Sequence, residues 1–371
     1  MDTKETVVLG RQQQRLNTVS PYYTMFPLRF PMEVLAEARS DARVLDPFCG
    51  RGTTLFAARA LGLQSVGIDA SPVATAIAQS KVASIDLDDV LRRIDDLLSA
   101  DTSHVDLPSG EFWGWAYSAE TLRDICSMRE QLLSPRDDAD VVVRAIALGI
   151  LHGPLMKGMP TYFSNQMPRT YATKPNGAVS YWRARNMTPP VVDVRSAMMR
   201  RATFVLEDVP GRGMGRVLRG DSAKVLESID ETFDWIVTSP PYFGMRSYVP
   251  DQWLRNWFVG GSATVDYTAT GQVRHTSLPN FTSDLAAIWK RVGERAESNA
   301  RLVVRFGALP SAASVPAEQI LRDSLEASGG VWTIDEVVPA GQPALRSRQA
   351  VQMKSRAGTY AEEIDLYATR R

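Results

Sequence analysis

Two short stretches of the chain carry residue types that could do chemistry. The first is Asp46-Pro47-Phe48-Cys49-Gly50-Arg51-Gly52-Thr53. Paired glycines between an apolar run and a helical pattern let backbone approach a ligand closely. No Lys-Ser/Thr pair follows, so this is not a phosphate-binding loop of the G-x-x-x-x-G-K-[ST] kind. The third glycine of a dinucleotide loop is also missing. About 20 residues on, Asp69 and Ala70 end the next apolar run, where an acid hydrogen-bonds a ribose diol. The pair of signals points to an adenosine-containing ligand without a phosphate chain. The second stretch is Thr238-Ser239-Pro240-Pro241-Tyr242. Two prolines fix the backbone and remove two N–H donors, leaving carbonyls and the Ser239 hydroxyl as acceptors. Such a corner suits an amino group, and Tyr242 offers an aromatic face to a planar ring.

The elements that must position these stretches are legible from pattern. Arg43–Asp46 reads as a strand, Thr53–Leu61 as a helix stopped by Gly62, and Ser65–Asp69 as a second strand. Ser71 caps a helix with Pro72 at its first position, running through Lys81. Further strands are expected at Arg216–Gly220, Phe233–Thr238, Ala300–Phe306, Val331–Val338 and Glu363–Ala368, with helices at Phe281–Asn299 and Pro316–Ser328. The pattern predicts an α/β fold with a seven-stranded Rossmann-like sheet, ligands binding at the carboxyl ends of its strands. Residues 84–205 read as a mostly helical insertion. Residues 1–20, polar and glutamine-rich, are expected to be flexible.

Composition bounds the class. Of 371 residues, 44% are hydrophobic and 23% charged, an ordinary globular mixture. No stretch reaches the ~20 apolar residues of a membrane span, and Met1–Gly10 has no signal-peptide core. Two cysteines, Cys49 and Cys126, make no disulfide scaffold, so a cytoplasmic setting is expected. With only three histidines as well, the expectation is no metal site. Net charge is zero, but its distribution is uneven. Asp86–Asp140 holds 14 acids against 5 basic residues, whereas Val141–Val192 has no acid at all. That acid-free stretch interleaves Arg169, Lys174, Arg183 and Arg185 with Tyr162, Phe163, Tyr171, Tyr181 and Trp182. The pattern suits phosphate contact and base stacking, or equally a helical subdomain with an aromatic core. A second acid-free segment, Gly341–Gly358, carries Arg346, Arg348, Lys354 and Arg356. After Tyr242, Arg246, Tyr248, Trp253 and Trp257 read either as a lid or as helix core.

Taken together, Asp46-Pro47-Phe48…Gly50…Gly52-Thr53 and Ser239-Pro240-Pro241-Tyr242 resemble the S-adenosylmethionine-dependent amino-methyltransferases of DNA. The S-P-P-Y form resembles the cytosine-N4 branch, whereas adenine-N6 members more often carry D-P-P-Y or N-P-P-Y. Tyr22-Tyr23-Thr24-Met25-Phe26-Pro27 resembles the family's N-terminal cofactor segment, and Asp221, followed by Ser222, stands where the family contacts the adenine amino group. The order of motifs departs from many cytosine-N4 enzymes, in which S-P-P-Y comes first.

The resemblance implies a class I methyltransferase domain over residues 21–83 and 206–371, with 84–205 as a target-recognition region. It implies S-adenosyl-L-methionine as cofactor, held by Tyr23, Thr24, Phe26, Asp46, Pro47, Phe48, Gly50, Gly52, Thr53, Asp69, Ala70, Asp221 and Ser222. Ser239, Pro240, Pro241 and Tyr242 would carry catalysis on a flipped base. Charge and its interleaving with aromatics make Arg169, Lys174, Arg183, Arg246, Arg346, Arg348 and Lys354 the candidates for holding DNA, expected to be double-stranded, and a restriction or defence protein is the kind of partner expected. Cys49, inside the glycine loop, reads as an apolar filler rather than a nucleophile. The expected activity is methyl transfer to cytosine N4. The alternatives are adenine N6, an RNA base amine, a protein glutamine (for which N-P-P-Y is the usual form), and a non-catalytic DNA-binding module.

Overall fold

The computed structural model describes residues 8–22, 26–153, 161–165, 175–243, 252–265, 277–308, 315–340 and 362–371. Seven strands form one sheet: β1 (Arg43–Asp46), β2 (Gln64–Asp69), β3 (Gly215–Arg219), β4 (Phe233–Thr238), β5 (Ala296–Ala308), β6 (Trp332–Pro339) and β7 (Glu362–Arg370). Their order is β3-β2-β1-β4-β5-β7-β6. All pairings are parallel except those of β7, which runs antiparallel between β5 and β6. This is the seven-stranded Rossmann-like α/β sheet expected from the sequence pattern. Strand order reverses between β1 and β4, so the carboxyl ends of these two strands flank the crevice where open α/β sheets bind ligands. Both chemistry-bearing stretches begin there.

Side-chain alternation builds the two faces. Val44, Trp235 and Val237 face one layer with α1 (Arg29–Leu35) and α2 (Thr53–Ala60). Leu45 and Ile236 face the other, with Phe281, Leu285 and Ile320. The helices continue as α3 (Pro72–Val82), α4 (Leu87–Ser99), α5 (Glu111–Ala116), α6 (Ala119–Leu132), α7 (Asp138–Ile150), α8 (Pro175–Arg183) and α9 (Val194–Leu206). Then come α10 (Ser222–Glu227), α11 (Trp253–Phe258), α12 (Leu278–Glu294) and α13 (Ala317–Glu326). Ser71 caps α3 through Ala74 N–H, with Pro72 in its first turn. The helix expected over Phe281–Asn299 stops at Glu294 instead. Ala296 already pairs with Phe233, and the chain then bulges at Asn299, which adopts a left-handed φ of 64°. Among the described residues no helix is long and apolar enough to cross a membrane.

Between β2 and β3 the described residues of 84–205 contain helices and no strand. The ends of this helical block are held together by Arg59 of α2. Its guanidinium donates to the carbonyls of Lys81 and Ala83 on one side and of Pro210 and Gly211 on the other, at 2.7–3.3 Å. Burial lowers its pKa to about 10. Three of these four bonds are buried, which makes the clip expensive to remove. Arg59→Met is expected to cost about 3 kcal/mol in urea denaturation. A loss below half that would show that the two junctions hold without it.

The N-terminal expectation is corrected for residues 8–20. Leu16 and Val19 are plugged into the core of the helical block, because two apolar side chains in a polar stretch suffice to anchor it. Arg201 donates to the carbonyls of Thr18 and Val19, and the buried Lys81 ammonium donates to that of Leu16. Gly149 of α7 packs directly on the same strap. A Cβ there would lie 2.1 Å from the Val19 carbonyl oxygen, and backbone has little room to yield. Gly149→Ala is therefore expected to cost about 2 kcal/mol by overpacking, despite its gain in helix propensity. A thermal melt unchanged from wild type would rule out that tight contact.

The open question over Trp253 and Trp257 resolves toward core. They are 4% and 3% exposed and lie in the helical block's hydrophobic cluster with Trp113 and Phe112. Arg129 donates to the Trp257 carbonyl and Arg255 to that of Leu148. Thus α11, which follows the S-P-P-Y corner in sequence, is packed into the block rather than onto the sheet.

Candidate active site

The first wall of the site is the loop after β1. Asp46, wholly buried, uses Oδ1 to accept from Phe48 N–H at 3.1 Å. Its Oδ2 is buried and takes no well-formed hydrogen bond, although the Thr54 hydroxyl, which donates to the Val237 carbonyl at 3.2 Å, lies close enough to lower the carboxyl's pKa. Burial raises its pKa to about 6, against the lowering effect of its hydrogen bonds. Cys49 N–H pairs with the Ile68 carbonyl, and the Cys49 side chain sits against Gly67. Burial pushes its thiol well above the ordinary value, so it is a filler and not a nucleophile.

The two loop glycines do different jobs. Gly50 has φ of 51°, and a Cβ there would meet nothing within 4 Å, so it borders open space. Gly52 has φ of 83°, and its Cβ would press on Ala78 and Lys81 at 3.1 Å. The loop therefore packs closely on α3 at this position, which only glycine allows. Asp69, at the end of β2, accepts from Gly50 N–H at 2.9 Å and Ser71 N–H at 2.8 Å. These bonds lower its pKa but burial outweighs them and raises it. Burial and the Asp69 charge also raise the Tyr22 phenol, which lies beside Ser71.

The second wall is the corner after β4. Thr238, buried at the strand's last position, donates its hydroxyl to Asp46 Oδ1 at 2.6 Å. That bond ties together the two stretches singled out in the sequence, which lie 192 residues apart. Pro240 is buried, Pro241 exposed, and Ser239 and Tyr242 are half-buried. The Tyr242 ring meets Phe306 edge-on at 5.7 Å, and its hydroxyl donates to Glu363 Oε1 at 2.9 Å. Burial, then the Glu363 charge, keeps this phenol protonated far beyond the ordinary tyrosine range. The Ser239 hydroxyl also lies within hydrogen-bonding reach of it. Nothing in the sequence flagged Glu363, which is 121 residues from Tyr242.

Other expected site residues take varied places. Pro47 and Thr53 are buried, Phe48 meets Trp289 edge-on, and Ala70 is exposed. Asp221 caps α10 through Ala223 N–H. The Ser222 hydroxyl, expected at the cofactor, instead donates to the Pro47 carbonyl and so braces the glycine loop. Phe26 packs edge-on against Phe30 and the α1–α2 layer rather than into the crevice. Arg183, expected on DNA, is ion-paired with Glu111, while Trp182 and Phe163 are core. Tyr23, Thr24, Arg169, Lys174, Arg246, Arg346, Arg348 and Lys354 lie outside the described residues.

Two observations fit the expected cofactor. A buried carboxylate oxygen without a well-formed hydrogen bond suits a cationic ligand group, and Gly50 leaves space at the mouth of the loop. Comparison with known proteins bears on the same loop. The N6/N4 methyltransferase family, described as DNA methylase, matches residues 8–80. No curated protein matches the chain. Among solved structures, the chain is similar to the rRNA methyltransferase aviRa of Streptomyces viridochromogenes. The identity is 13%, over 97% of this chain and 94% of that one, with a TM-score of 0.35. TrmN of Thermus thermophilus is 10% identical over 97% of this chain, with a TM-score of 0.37, and the match spans 53% of its length. A SAM-dependent methyltransferase of Methanosarcina mazei is 10% identical over 93% and 98% of the two chains, with a TM-score of 0.35. The fold assignment rests on strand order and not on these distant likenesses. Residues 8–80, which carry the glycine loop, are thus similar to the DNA methylase family over about a fifth of the chain.

Proposed function

We propose that this chain transfers a methyl group to the exocyclic N4 amine of cytosine in DNA. The hydrogen bond from Thr238 to Asp46 carries the reading, since it sets an acceptor-rich Ser-Pro-Pro-Tyr corner beside the glycine loop at the sheet's switch point. When bound, S-adenosylmethionine supplies a methyl group activated by its sulfonium. Asp46, Gly50 and Asp69 are the described residues best placed to hold it. A base amine is a poor nucleophile because its lone pair is delocalised into the ring. Ser239 and the Pro240 carbonyl accept the amine's hydrogens, which favours lone-pair density on nitrogen and aligns it for in-line attack. Tyr242 offers its ring to the base. A base within a duplex does not reach such a corner, so it leaves the stack at a cost of a few kcal/mol. The target-recognition role falls to the helical block of 84–205, which shares a core with α11.

The test uses purified protein, labelled S-adenosylmethionine and unmethylated genomic DNA, digested to nucleosides and read by mass spectrometry. N4-methylcytosine is expected. N6-methyladenine would overturn the base assignment and keep the chemistry. Label found in RNA alone would overturn the DNA reading.

A further inference from the structure

Glu363 is a carboxylate at the reacting corner that no motif contains. It sits on β7 directly opposite Gly307 of β5, so it faces no side chain across the ladder. Two residues on, Asp365 is opposite Arg305 and forms a two-point ion pair with it at 2.6–2.7 Å. Arg305 in turn lies over the Phe30 ring at 4.0 Å. The base of β7 is thereby fixed by a buried ion pair, while the neighbouring acid reaches out of the sheet to the Tyr242 hydroxyl. The inner part of the Tyr242 ring packs against Phe306 and the neighbouring core, while its hydroxyl end lies between Glu363 and Ser239, where polar partners set the ring's second torsion. The bond to Glu363 holds that far end, and a carboxylate acceptor makes it among the stronger neutral-donor bonds.

We propose that Glu363 is a positioning residue for catalysis: through the Tyr242 hydroxyl it fixes the plane of the ring on which the target base stacks. The proposal rests on the methyl-transfer reading above. It gives the tyrosine hydroxyl a task that a phenylalanine could not perform, and it makes the outermost part of β7 a component of the site. Glu363 does not touch the reacting atoms. Its effect therefore passes entirely through Tyr242.

The test is a double-mutant cycle on single-turnover methyl transfer with Glu363→Ala, Tyr242→Phe and the double variant. Each single change is expected to slow transfer roughly tenfold, with cofactor affinity unchanged, and the double variant to be no slower than either. Losses that multiply, or a Glu363→Ala enzyme at wild-type rate, would overturn the proposal. A readout independent of turnover accompanies it: 3-fluorotyrosine placed at position 242 and followed by fluorine NMR. A single narrow line is expected in the otherwise wild-type chain, broadened or split by Glu363→Ala. An unchanged line would show that the acid does not hold the ring. If the wild-type protein methylates no nucleic acid, the function reading fails and this catalytic role with it, while the fluorine line still reports the contact separately.

Discussion

Asp46→Asn is expected to separate stability from cofactor binding, moving them in opposite directions. In the ligand-free protein the Asp46 carboxyl has its pKa raised by burial from 3.8 to about 6. The folded state therefore holds this proton more tightly than the unfolded chain does. The stability it contributes is fully present below the unfolded value and lost as pH rises through about 6. Two units correspond to about 3 kcal/mol. Asparagine keeps an acceptor for Thr238 and Phe48 and has no proton to lose. Urea denaturation of the ligand-free proteins should thus show the variant gaining about 3 kcal/mol on wild type between pH 3.5 and pH 8. A difference that stays flat across this window would refute a buried, uncompensated charge at Asp46. Calorimetry should show the opposite for S-adenosylmethionine. Wild-type affinity should weaken as pH falls through about 6, and the variant should bind roughly 100-fold more weakly with no such pH dependence. The energetic cost of holding this carboxylate ionised would then be the source of part of the binding energy.

Ser239→Ala is expected to reduce single-turnover methyl transfer about 100-fold while leaving cofactor affinity within a factor of two. The side chain is half-buried at the corner beside two prolines that hold the backbone rigid, and on the proposed reading its hydroxyl accepts from the amine. Its removal takes away a contact that strengthens as the nitrogen lone pair is recruited, which is why the effect belongs in the chemical step and not in binding. Tyr242→Ala should add weaker DNA binding, because it removes a stacking face. Unaltered single-turnover rates in Ser239→Ala would move the amine to another acceptor.

The limits of the sequence reading have physical causes. β1 and β4 were expected at Arg43–Asp46 and Phe233–Thr238 and are found there, since each is an apolar run closed by polar residues. That Thr238 would meet Asp46 was not legible. Adjacency of two parallel strands is a property of sheet order, and no local pattern encodes it. Glu363 was missed for the same reason: its meaning comes from antiparallel register with β5 and from a glycine opposite it. Residues 8–20 were misjudged because three glutamines dominate the composition while only Leu16 and Val19 do the anchoring. The end of α12 was placed too late because Glu297-Ser298-Asn299 is polar throughout and shows neither helical nor strand period. Arg183 shows what charge counting along the chain does not see: its ion-pair partner Glu111 lies in α5, outside the acid-free stretch.

The Arg59 clip brings Ala83 and Gly211 to one side chain, so the helical block leaves and rejoins the sheet at a single point. Proteins with such a junction invite cassette exchange, in which one block is cut out and a relative's block is spliced between the same two residues. Here that operation would fail as usually performed. Trp253, Leu254, Trp257 and Phe258 belong to the block's core yet are encoded far downstream of its second junction. A chimera cut only at 83 and 211 would confront these four side chains with a foreign surface. Grafting a new specificity onto this scaffold requires moving two segments of the gene together, the block and α11, and the same coupling constrains how recombination could have assembled the chain.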